Sequence, residues 1–229
     1  MRTSPLSVVM LGATGAVGEQ TVKKLLTIPA IEHLSLLGRR PLSDLPDPKS
    51  IVHQHQIDIF DTSTYQHLLP GHHIAICTLG VGQPSKTSKA DFIKIDKLAV
   101  LDFATACKKA GIRHFELLAS VGINANSSSF YLRTKGELVE ELTALQFERL
   151  SIFQPSMILT PNNRYGLLQG LTLFIWPLLH PLLLGSLRQY RGIPVDVLGK
   201  AMAINILGNK TGVERLSWDD FWRLAERKE

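Results

Sequence analysis

The chain has 229 residues, 45% of them hydrophobic, and a formal net charge of +5. It contains only two cysteines, Cys77 and Cys107, each in an apolar stretch, so neither a disulfide framework nor a zinc site is expected. The lysines and arginines are scattered, which argues against a nucleic-acid partner, and no residue pattern predicts a bound metal. Because no Pro/Gly/Ser-rich linker divides the chain, we expect one domain over residues 1–229, with residues 162–229 forming a small lobe on the substrate side.

The amino terminus enters a short apolar run with only Arg2 before it. It lacks the longer hydrophobic core and the cleavage site of a secretory signal peptide. Two cysteines in apolar contexts also fit a reducing compartment. We therefore expect a cytoplasmic protein.

Short apolar segments alternate with helical ones along most of the chain. Buried strands are predicted at residues 6–11, 33–38, 51–57, 73–78, 113–119 and 149–153. Helices are predicted at residues 16–27, 62–69, 85–110 and 130–146. This alternation predicts an α/β fold: a doubly wound, mostly parallel sheet of the Rossmann type, with helices on both faces and a small helical lobe at the carboxyl end. In such a sheet the binding crevice lies just beyond the carboxyl ends of the strands.

The first predicted strand is followed directly by a G-x-x-G-x-x-G pattern that opens a helix. Glycine permits positive φ and close approach of the backbone to a pyrophosphate, whose charge is favoured by the free N–H groups of a helix start. A tight strand-to-helix turn also needs glycine for steric reasons alone, so the placement after the first strand carries the prediction. The residues expected to bind a nucleotide cofactor here are Gly12, Thr14, Gly15, Ala16, Val17 and Gly18.

The second predicted strand ends in Gly38, Arg39 and Arg40, where an acidic residue would hold the ribose of NAD. Guanidinium groups form bidentate bonds to phosphate, so the two arginines favour the 2′-phosphate of NADP. The alternative is that they begin an exposed loop. Asp58, after the third strand, is a candidate for contact with the adenine amino group, and a plain turn aspartate is the alternative.

The fourth predicted strand is followed by Thr78, Leu79 and Gly80. This loop is a candidate for contact with the middle of the cofactor, because its small residues permit close approach. Small residues also suit any loop, so this signal only supports the others.

One lysine lies on the apolar face of the helix predicted at residues 130–146. At about 100° per residue, Tyr131 and Lys135 share that face with three leucines. A lysine is seldom buried without a partner, and Tyr131 lies one turn before it on the same face. The pair therefore indicates a site, unless Tyr131 is an ordinary half-buried aromatic residue and Lys135 extends its head into solvent.

Ser120 follows Leu117 and Leu118 after the fifth predicted strand, eleven residues before Tyr131. The glycine turn, this serine, the segment Tyr-Leu-x-x-Lys-Gly-Glu that starts at Tyr131, and a Phe-x-Pro segment after the sixth strand occur in one order. Because these motifs occur in this order, the chain resembles the short-chain dehydrogenase/reductase superfamily in its atypical or extended form. It is most similar to the Tat-interacting-protein oxidoreductases and their bacterial relatives.

The resemblance implies a role for each of these residues. Tyr131 would exchange a proton with the substrate oxygen, Ser120 would donate a hydrogen bond to that oxygen, and Lys135 would favour the phenolate and hold the nicotinamide ribose. Backbone around Pro155 would wall the nicotinamide pocket. Two features depart from the family: residues 85–110 contain no asparagine for a proton relay, and Gln154 stands where relatives commonly have arginine.

Together these features predict an NADP(H)-dependent oxidoreductase acting on a small apolar carbonyl or alcohol. The alternatives are an NADP(H)-binding regulatory or redox-sensing protein with little turnover, a peripheral membrane protein, and a sugar-nucleotide epimerase.

The apolar segment from Leu167 to Leu184 is interrupted by prolines and His180, which favours a buried or broken helix pair. Its alternatives are a lid over the substrate and a contact with a membrane surface or a protein.

Overall fold

In the computed structural model, which describes residues 5–43, 45–47, 49–160 and 183–227, seven parallel strands form the central sheet. These strands are β1 (Leu6–Leu11), β2 (Ile31–Gly38), β3 (Val52–Gln56), β4 (Ile74–Cys77), β5 (His114–Leu118), β6 (Arg149–Phe153) and β9 (Gly212–Leu216). A separate parallel pair is formed by β7 (Ile158–Leu159) and β8 (Ile193–Pro194). The order in the central sheet is β3-β2-β1-β4-β5-β6-β9. The order reverses between β1 and β4, so the crevice of this doubly wound sheet opens beyond the ends of these two strands.

Helices cover both faces of the sheet. They are α1 (Ala16–Leu25), α2 (Lys89–Ile93), α3 (Ala99–Lys109), α4 (Phe130–Ala144), α5 (Val195–Asn205) and α6 (Trp218–Ala225). Because side chains alternate along a strand, Val8 and Met10 of β1 join the core under α1, α5 and α6, whereas Val9 and Leu11 join the core under α3 and α4. The predicted Rossmann-type fold is confirmed.

The six predicted strands are found, each within two residues of its predicted bounds. Two predicted helices differ. Residues 62–69 form two short 3₁₀ helices, Thr62–Thr64 and Gln66–Leu68, instead of one helix. Residues 85–110 are not one α-helix, because a π-helical turn, Lys94–Leu98, separates α2 from α3.

Strand β9 was not predicted from the sequence. It lies at the edge of the sheet, and Val213 is 50% exposed. Its centre carries the charged residues Glu214 and Arg215, so it lacks the apolar run that marks the inner strands. The residues after 183 therefore contribute a strand to the central sheet as well as α5 and α6. The division of the chain into domains stays a prediction.

Candidate functional site

The passage from β1 into α1 leaves no room for a side chain at two glycines, Gly12 in the loop and Gly18 in the first turn of α1. Gly12 has φ +96°, and a Cβ there would lie 2.7 Å from the backbone nitrogen of Leu79. A Cβ on Gly18 would lie 2.2 Å from the carbonyl oxygen of Gly12. Gly15 is the N-cap of α1 and supplies no side-chain cap, which leaves N–H groups of the first turn for an anion. The turn therefore fits a pyrophosphate group.

The other predicted residues of this turn differ in their surroundings. Thr14 is exposed at the tip of the loop, and Ala16 is partly buried at the start of α1. Val17 is buried in the core under α1, so its side chain contributes packing and only its backbone faces the turn.

A cavity of about 280 Å³ opens beside the glycine turn. Its lining includes Gly12 and Thr14 from the turn, Arg39 and Arg40 from the loop after β2, and His55 of β3. Both arginines are exposed, and they share one cavity with the turn. This placement agrees with the position of a phosphate-binding pair at the adenosine end of a dinucleotide.

The loop that carries the two arginines is held by β3. The side chain of Gln54 accepts a hydrogen bond from the backbone N–H of Leu42 at 2.7 Å and donates one to the Leu42 carbonyl at 3.1 Å. The arginines thus belong to a loop that is fixed to the sheet two residues beyond them.

His55 was not among the site residues predicted from the sequence. Its strand position is paired with Leu37 of β2, and its pKa is lowered by burial and by the neighbouring His53 and His67. His33 and His53 stack on each other with ring centroids 4.4 Å apart. The signal for it in the sequence was the His-Gln-His-Gln run that makes up the last four residues of β3. In the part of the chain that the structure describes, no three His, Cys, Asp or Glu side chains are arranged to hold a metal ion.

Two predicted cofactor contacts make hydrogen bonds within the protein. Oδ1 of Asp58 accepts the backbone N–H of Phe60 at 2.9 Å, which is the turn role that the sequence left open. Thr78 donates from Oγ1 to the carbonyl of Gly12 at 2.9 Å and so ties the loop after β4 to the glycine turn. Leu79, the next residue, lines the cavity.

Ser120 and Pro155 lie at adjacent strand ends. The pairing of β5 and β6 continues past both strands, since the N–H of Val121 donates to the carbonyl of Pro155 at 2.9 Å. Ser120 is partly buried, and its hydroxyl makes a long contact of 3.4 Å with the Val121 carbonyl. A long contact of this kind is weak, so the hydroxyl is able to turn toward a substrate.

The start of α4 lies against the loop that follows Ser120. A Cβ on Gly136 would lie 2.3 Å from the backbone nitrogen of Ala125, so only glycine permits this approach. Tyr131 is partly buried one turn earlier, and its ring centroid lies 5.4 Å from that of the buried Phe92. The glycine of the Lys-Gly-Glu segment thus brings the helix of Tyr131 against the loop of Ser120.

Lys135 is buried, and its ionic partner is Asp96 rather than Tyr131. The Nζ atom of Lys135 lies 2.7 Å from Oδ1 of Asp96, and the two side chains are 5% and 4% exposed. The second oxygen of Asp96, Oδ2, accepts the N–H of Val81 at 2.7 Å. A Cβ on Gly80 would lie 3.0 Å from Oδ1, so this glycine makes room for the carboxylate of Asp96. The sequence indicated the buried lysine but not its partner; an acidic residue in the helical stretch before β5 was the available signal.

The thiol of Cys77 lies near this ion pair at the end of β4. Burial raises its pKa to about 12, with opposing contributions from Lys135 and Asp96. Cys77 and Cys107 are both free and buried. A thiol with so high a pKa stays protonated at neutral pH and is a poor nucleophile.

A family model described as NAD(P)H-binding matches residues 12–147 of the 229. The chain belongs to this NAD(P)H-binding family. The matched range begins at the glycine turn and contains Ser120, Tyr131 and Lys135. It ends between α4 and β6, so Pro155 and the elements after it lie outside the match.

Curated relatives extend this result. Protein HTATIP2 of Rattus norvegicus is 34% identical over 153 residues, which are 67% of this chain and 63% of that protein. The match therefore spans less than two thirds of the rat protein's length. Protein FMP52 of Candida glabrata, described as mitochondrial, is 31% identical over 175 residues, which are 75% of this chain and 72% of that protein. The predicted resemblance to the Tat-interacting-protein oxidoreductases is confirmed.

Solved structures with little sequence similarity share the fold. A putative NAD-dependent epimerase/dehydratase from Bacillus halodurans superposes with a TM-score of 0.70 at 15% identity, over 96% of this chain and 99% of that one. MoeE5 in complex with UDP-glucuronic acid and NAD superposes with a TM-score of 0.69 at 18% identity, over 92% of this chain and 75% of that one.

The apolar segment from Leu167 to Leu184 lies outside the described residues, apart from its last two positions. Leu184 is 65% exposed. Among the residues that are described, no helix has the length and apolar character needed to cross a bilayer. The role of this segment as core, lid or contact with a membrane or a protein stays a prediction.

Proposed function

We propose that this protein is an NADP(H)-dependent oxidoreductase that interconverts a small apolar carbonyl compound and its alcohol. The observation that supports the proposal most is the position of the glycine turn, the arginine pair and Ser120, which all lie just beyond the carboxyl ends of strands in one parallel sheet. The turn and the arginine pair lie beyond β1 and β2, whereas Ser120 lies beyond β5 beside the helix of Tyr131 and Lys135.

The cofactor class follows from the NAD(P)H-binding family, and the residues around the cavity support NADP(H). The first turn of α1 would hold the pyrophosphate through backbone N–H groups. Arg39 and Arg40 would hold the 2′-phosphate, because they place two guanidinium groups and no carboxylate at the end of β2. Lys135 would contact the nicotinamide ribose.

The proposed reaction needs a proton donor and an oxyanion donor on the protein. A bound reduced nicotinamide supplies the hydride that adds to the carbonyl carbon. Negative charge then develops on the carbonyl oxygen, which would accept a hydrogen bond from Ser120 and the phenolic proton from Tyr131. The phenolate left on Tyr131 would be stabilised by a positive charge on Lys135, as the resemblance implies, and would regain a proton from solvent. The alcohol oxidation runs through the same steps in reverse.

The surroundings of Tyr131 support an apolar substrate. The neighbouring ring of Phe92 is buried, and Phe130 packs against Phe92 with ring centroids 5.7 Å apart. Apolar walls of this kind bind small hydrophobic groups while a few polar groups orient the reacting atom.

Cofactor binding is tested by thermal shift with NADPH and with NADH. A ligand at 100 times its dissociation constant stabilises the folded state by about 2.7 kcal/mol. We expect NADPH to raise the melting temperature more than NADH does at equal concentration. The absence of a shift with either dinucleotide would contradict the proposal.

Catalysis is tested with a panel of small carbonyl compounds and NADPH. The Tyr131→Phe variant should lose at least about 100-fold in kcat, the range for removal of a general acid. Tyr65→Phe is the matched control, because it removes a buried hydroxyl for which the described residues offer no hydrogen-bond partner. NADPH binding without turnover on any compound would favour the regulatory alternative.

The cytoplasmic location stays part of this proposal. FMP52 relatives are described as mitochondrial, so cell fractionation with a mitochondrial marker is the direct check. Recovery of the protein with that marker would contradict the cytoplasmic prediction.

A further inference from the structure

Asp96 connects two parts of the candidate site through its two carboxylate oxygens. Oδ1 pairs with Nζ of Lys135 at 2.7 Å, and Oδ2 accepts the N–H of Val81 at 2.7 Å. Val81 belongs to the loop after β4, and Leu79 of the same loop lines the cavity. Lys135 belongs to α4, one turn after Tyr131. One carboxylate therefore joins the cavity loop to the helix of the proposed proton donor.

The backbone around Asp96 is unusual. Asp96 lies in the π-helical turn Lys94–Leu98, and π turns are rare and frequently found at functional sites. The next residue, Lys97, pairs with Glu137 at 2.8 Å and with Glu141 at 2.9 Å on α4. Asp96 thus binds the buried side of α4, and the next residue, Lys97, binds its solvent-facing side.

Stability alone does not explain this buried pair. Taking two charges out of water costs free energy, and apolar side chains of similar volume often stabilise a core as well or better. Other fully buried positions in this core are apolar, for example Phe103, Ala104 and Leu138. Lys135 lies one turn after Tyr131 on α4, and the proposed function gives its ammonium group a role beside that residue.

We propose that Asp96 is a positioning residue, which acts through Lys135 by fixing its ammonium group relative to both Tyr131 and the loop after β4. The inference rests on the proposed function, because it names the residue that orders the Ser-Tyr-Lys set. Asn at position 96 would keep one acceptor oxygen but lose the negative charge, so it cannot serve both Lys135 and Val81 as the carboxylate does.

The titration of Tyr131 gives a readout that a packing role would not move. If Asp96 holds the ammonium group of Lys135 where it favours the phenolate, Asp96→Asn frees that group and raises the pH at which Tyr131 ionises, whereas removal of a nearby negative charge alone would lower that pH. In the described part of the chain, the other titratable or charged groups around the pair are Cys77 on β4 and, on the outer side, Lys97 with its partners Glu137 and Glu141. All of these are unchanged in Asp96→Asn.

The experiment follows the ultraviolet absorbance of tyrosinate against pH in the full chain. Subtraction of the same titration for a Tyr131→Phe version of each protein isolates the signal of Tyr131. We expect the midpoint to rise in Asp96→Asn. The control is Asp102→Asn, which removes the same charge from an exposed position of α3. A midpoint that is unchanged or lower in Asp96→Asn, or an equal shift in both variants, would overturn the inference.

Turnover gives a second readout. We expect kcat of Asp96→Asn to fall at least about tenfold, since small displacements of reacting groups slow a reaction strongly, and kcat of Asp102→Asn to stay unchanged. If NADPH binds and Tyr131→Phe is inactive but Asp96→Asn behaves as wild type, the positioning role is wrong and the proposed function stands. If NADPH does not bind, the proposed function fails, and the tyrosinate titration still decides the role of Asp96 because it needs no turnover.

A third comparison covers the case in which Asp96→Asn does not fold. Lys135→Met alone leaves the carboxylate of Asp96 buried beside an apolar group. Asp96→Asn combined with Lys135→Met removes that unpaired charge, so the double variant should melt at a higher temperature than Lys135→Met. An equal or lower melting temperature would show that the two residues are not coupled and would overturn the inference.

Discussion

Arg149 donates from both Nε and Nη2 to one carboxylate oxygen of Glu214, at 2.9 and 2.7 Å, and so joins β6 to the edge strand β9. Its Nη1 donates to the carbonyl oxygens of Asn205 and Gly208, each at 3.0 Å, at the end of α5. Burial would raise the pKa of Glu214, but hydrogen bonds from Ser151 and Arg149 bring it down to about 2. One buried guanidinium therefore holds the last strand and the end of α5 together.

Removal of this guanidinium should destabilise the protein strongly. Arg149→Met removes the buried guanidinium from Glu214, which keeps the hydroxyl of Ser151, and from the carbonyl oxygens of Asn205 and Gly208. We expect the free energy of unfolding to fall by about 3–5 kcal/mol. Urea unfolding measures the loss. Arg113→Met is the matched control, because its pair with Glu148 is exposed and 3.9 Å long and should change stability by less than about 1 kcal/mol. Equal losses in the two variants would contradict this account.

The buried carboxyl group of Glu116 should make the free energy of unfolding depend on pH. Burial raises its pKa from 4.5 to about 8, although a hydrogen bond from Asn205 opposes the shift. Between these two values the folded state binds a proton that the unfolded state has released, so the free energy of unfolding decreases as pH rises. The decrease is at most about 1.4 kcal/mol per pH unit.

The Glu116→Gln variant lacks this contribution. We expect the stability of the wild type relative to the variant to fall as pH is raised from 5 toward 8, within the window between 4.5 and about 8. Urea unfolding at several pH values measures both curves. Glu148→Gln, an exposed glutamate, should leave the slope as it is in the wild type. Parallel curves for the wild type and Glu116→Gln would show that Glu116 is ionised in the folded state.

The arginine pair predicts discrimination between the two dinucleotides. Arg39→Ala or Arg40→Ala should weaken NADPH binding by roughly 10-fold to 100-fold, the loss expected for a charged hydrogen bond of about 1.5–3 kcal/mol. NADH lacks the 2′-phosphate, so its affinity should change little. Titration of cofactor fluorescence measures both constants, with Arg113→Met as a control at the amino end of β5. A comparable loss for both dinucleotides would mean that the arginines do not contact the 2′-phosphate.

Because of His55, we expect the ratio of NADPH affinity to NADH affinity to depend on pH. Burial, together with His53 and His67, lowers the pKa of His55, so the ring is neutral at neutral pH in the free protein. A phosphate in the shared cavity favours the imidazolium form, and NADPH affinity should therefore rise relative to NADH affinity between about pH 8 and about pH 6.5. In His55→Gln the ratio of the two dissociation constants should be flat over this range. A flat ratio in the wild type would place His55 outside the phosphate site.

The parts of the site that the sequence predicted are those encoded by local pattern. The glycine turn directly follows an apolar strand, and Lys135 is a charge on an apolar stripe, so neighbouring residues alone indicate both. Leu138 and Leu142 of that stripe are indeed buried. The same reasoning placed the five inner strands, because strands buried on both faces read as continuous apolar runs.

The parts that were missed depend on contacts between distant residues. Asp96 and Lys135 are joined only in the folded protein, and nothing near Asp96 in the sequence distinguishes it from the exposed Asp91 or Asp102. Gly80 suggested close approach of a ligand, whereas its neighbour is the carboxylate of Asp96. The edge strand β9 was missed because the buried partner of Glu214 is Arg149, on another strand.

The packing of α5 on α1 has a consequence for the newly made chain. Gly199 permits the contact, since a Cβ there would lie 2.5 Å from Cβ of Gln20. The helix that opens at the glycine turn is therefore covered by residues synthesised 179 positions later, the difference between 199 and 20. During translation this surface of α1 stays uncovered until α5 leaves the ribosome. A chain that stops before α5 therefore leaves this surface of α1, the helix that opens at the glycine turn, without its cover.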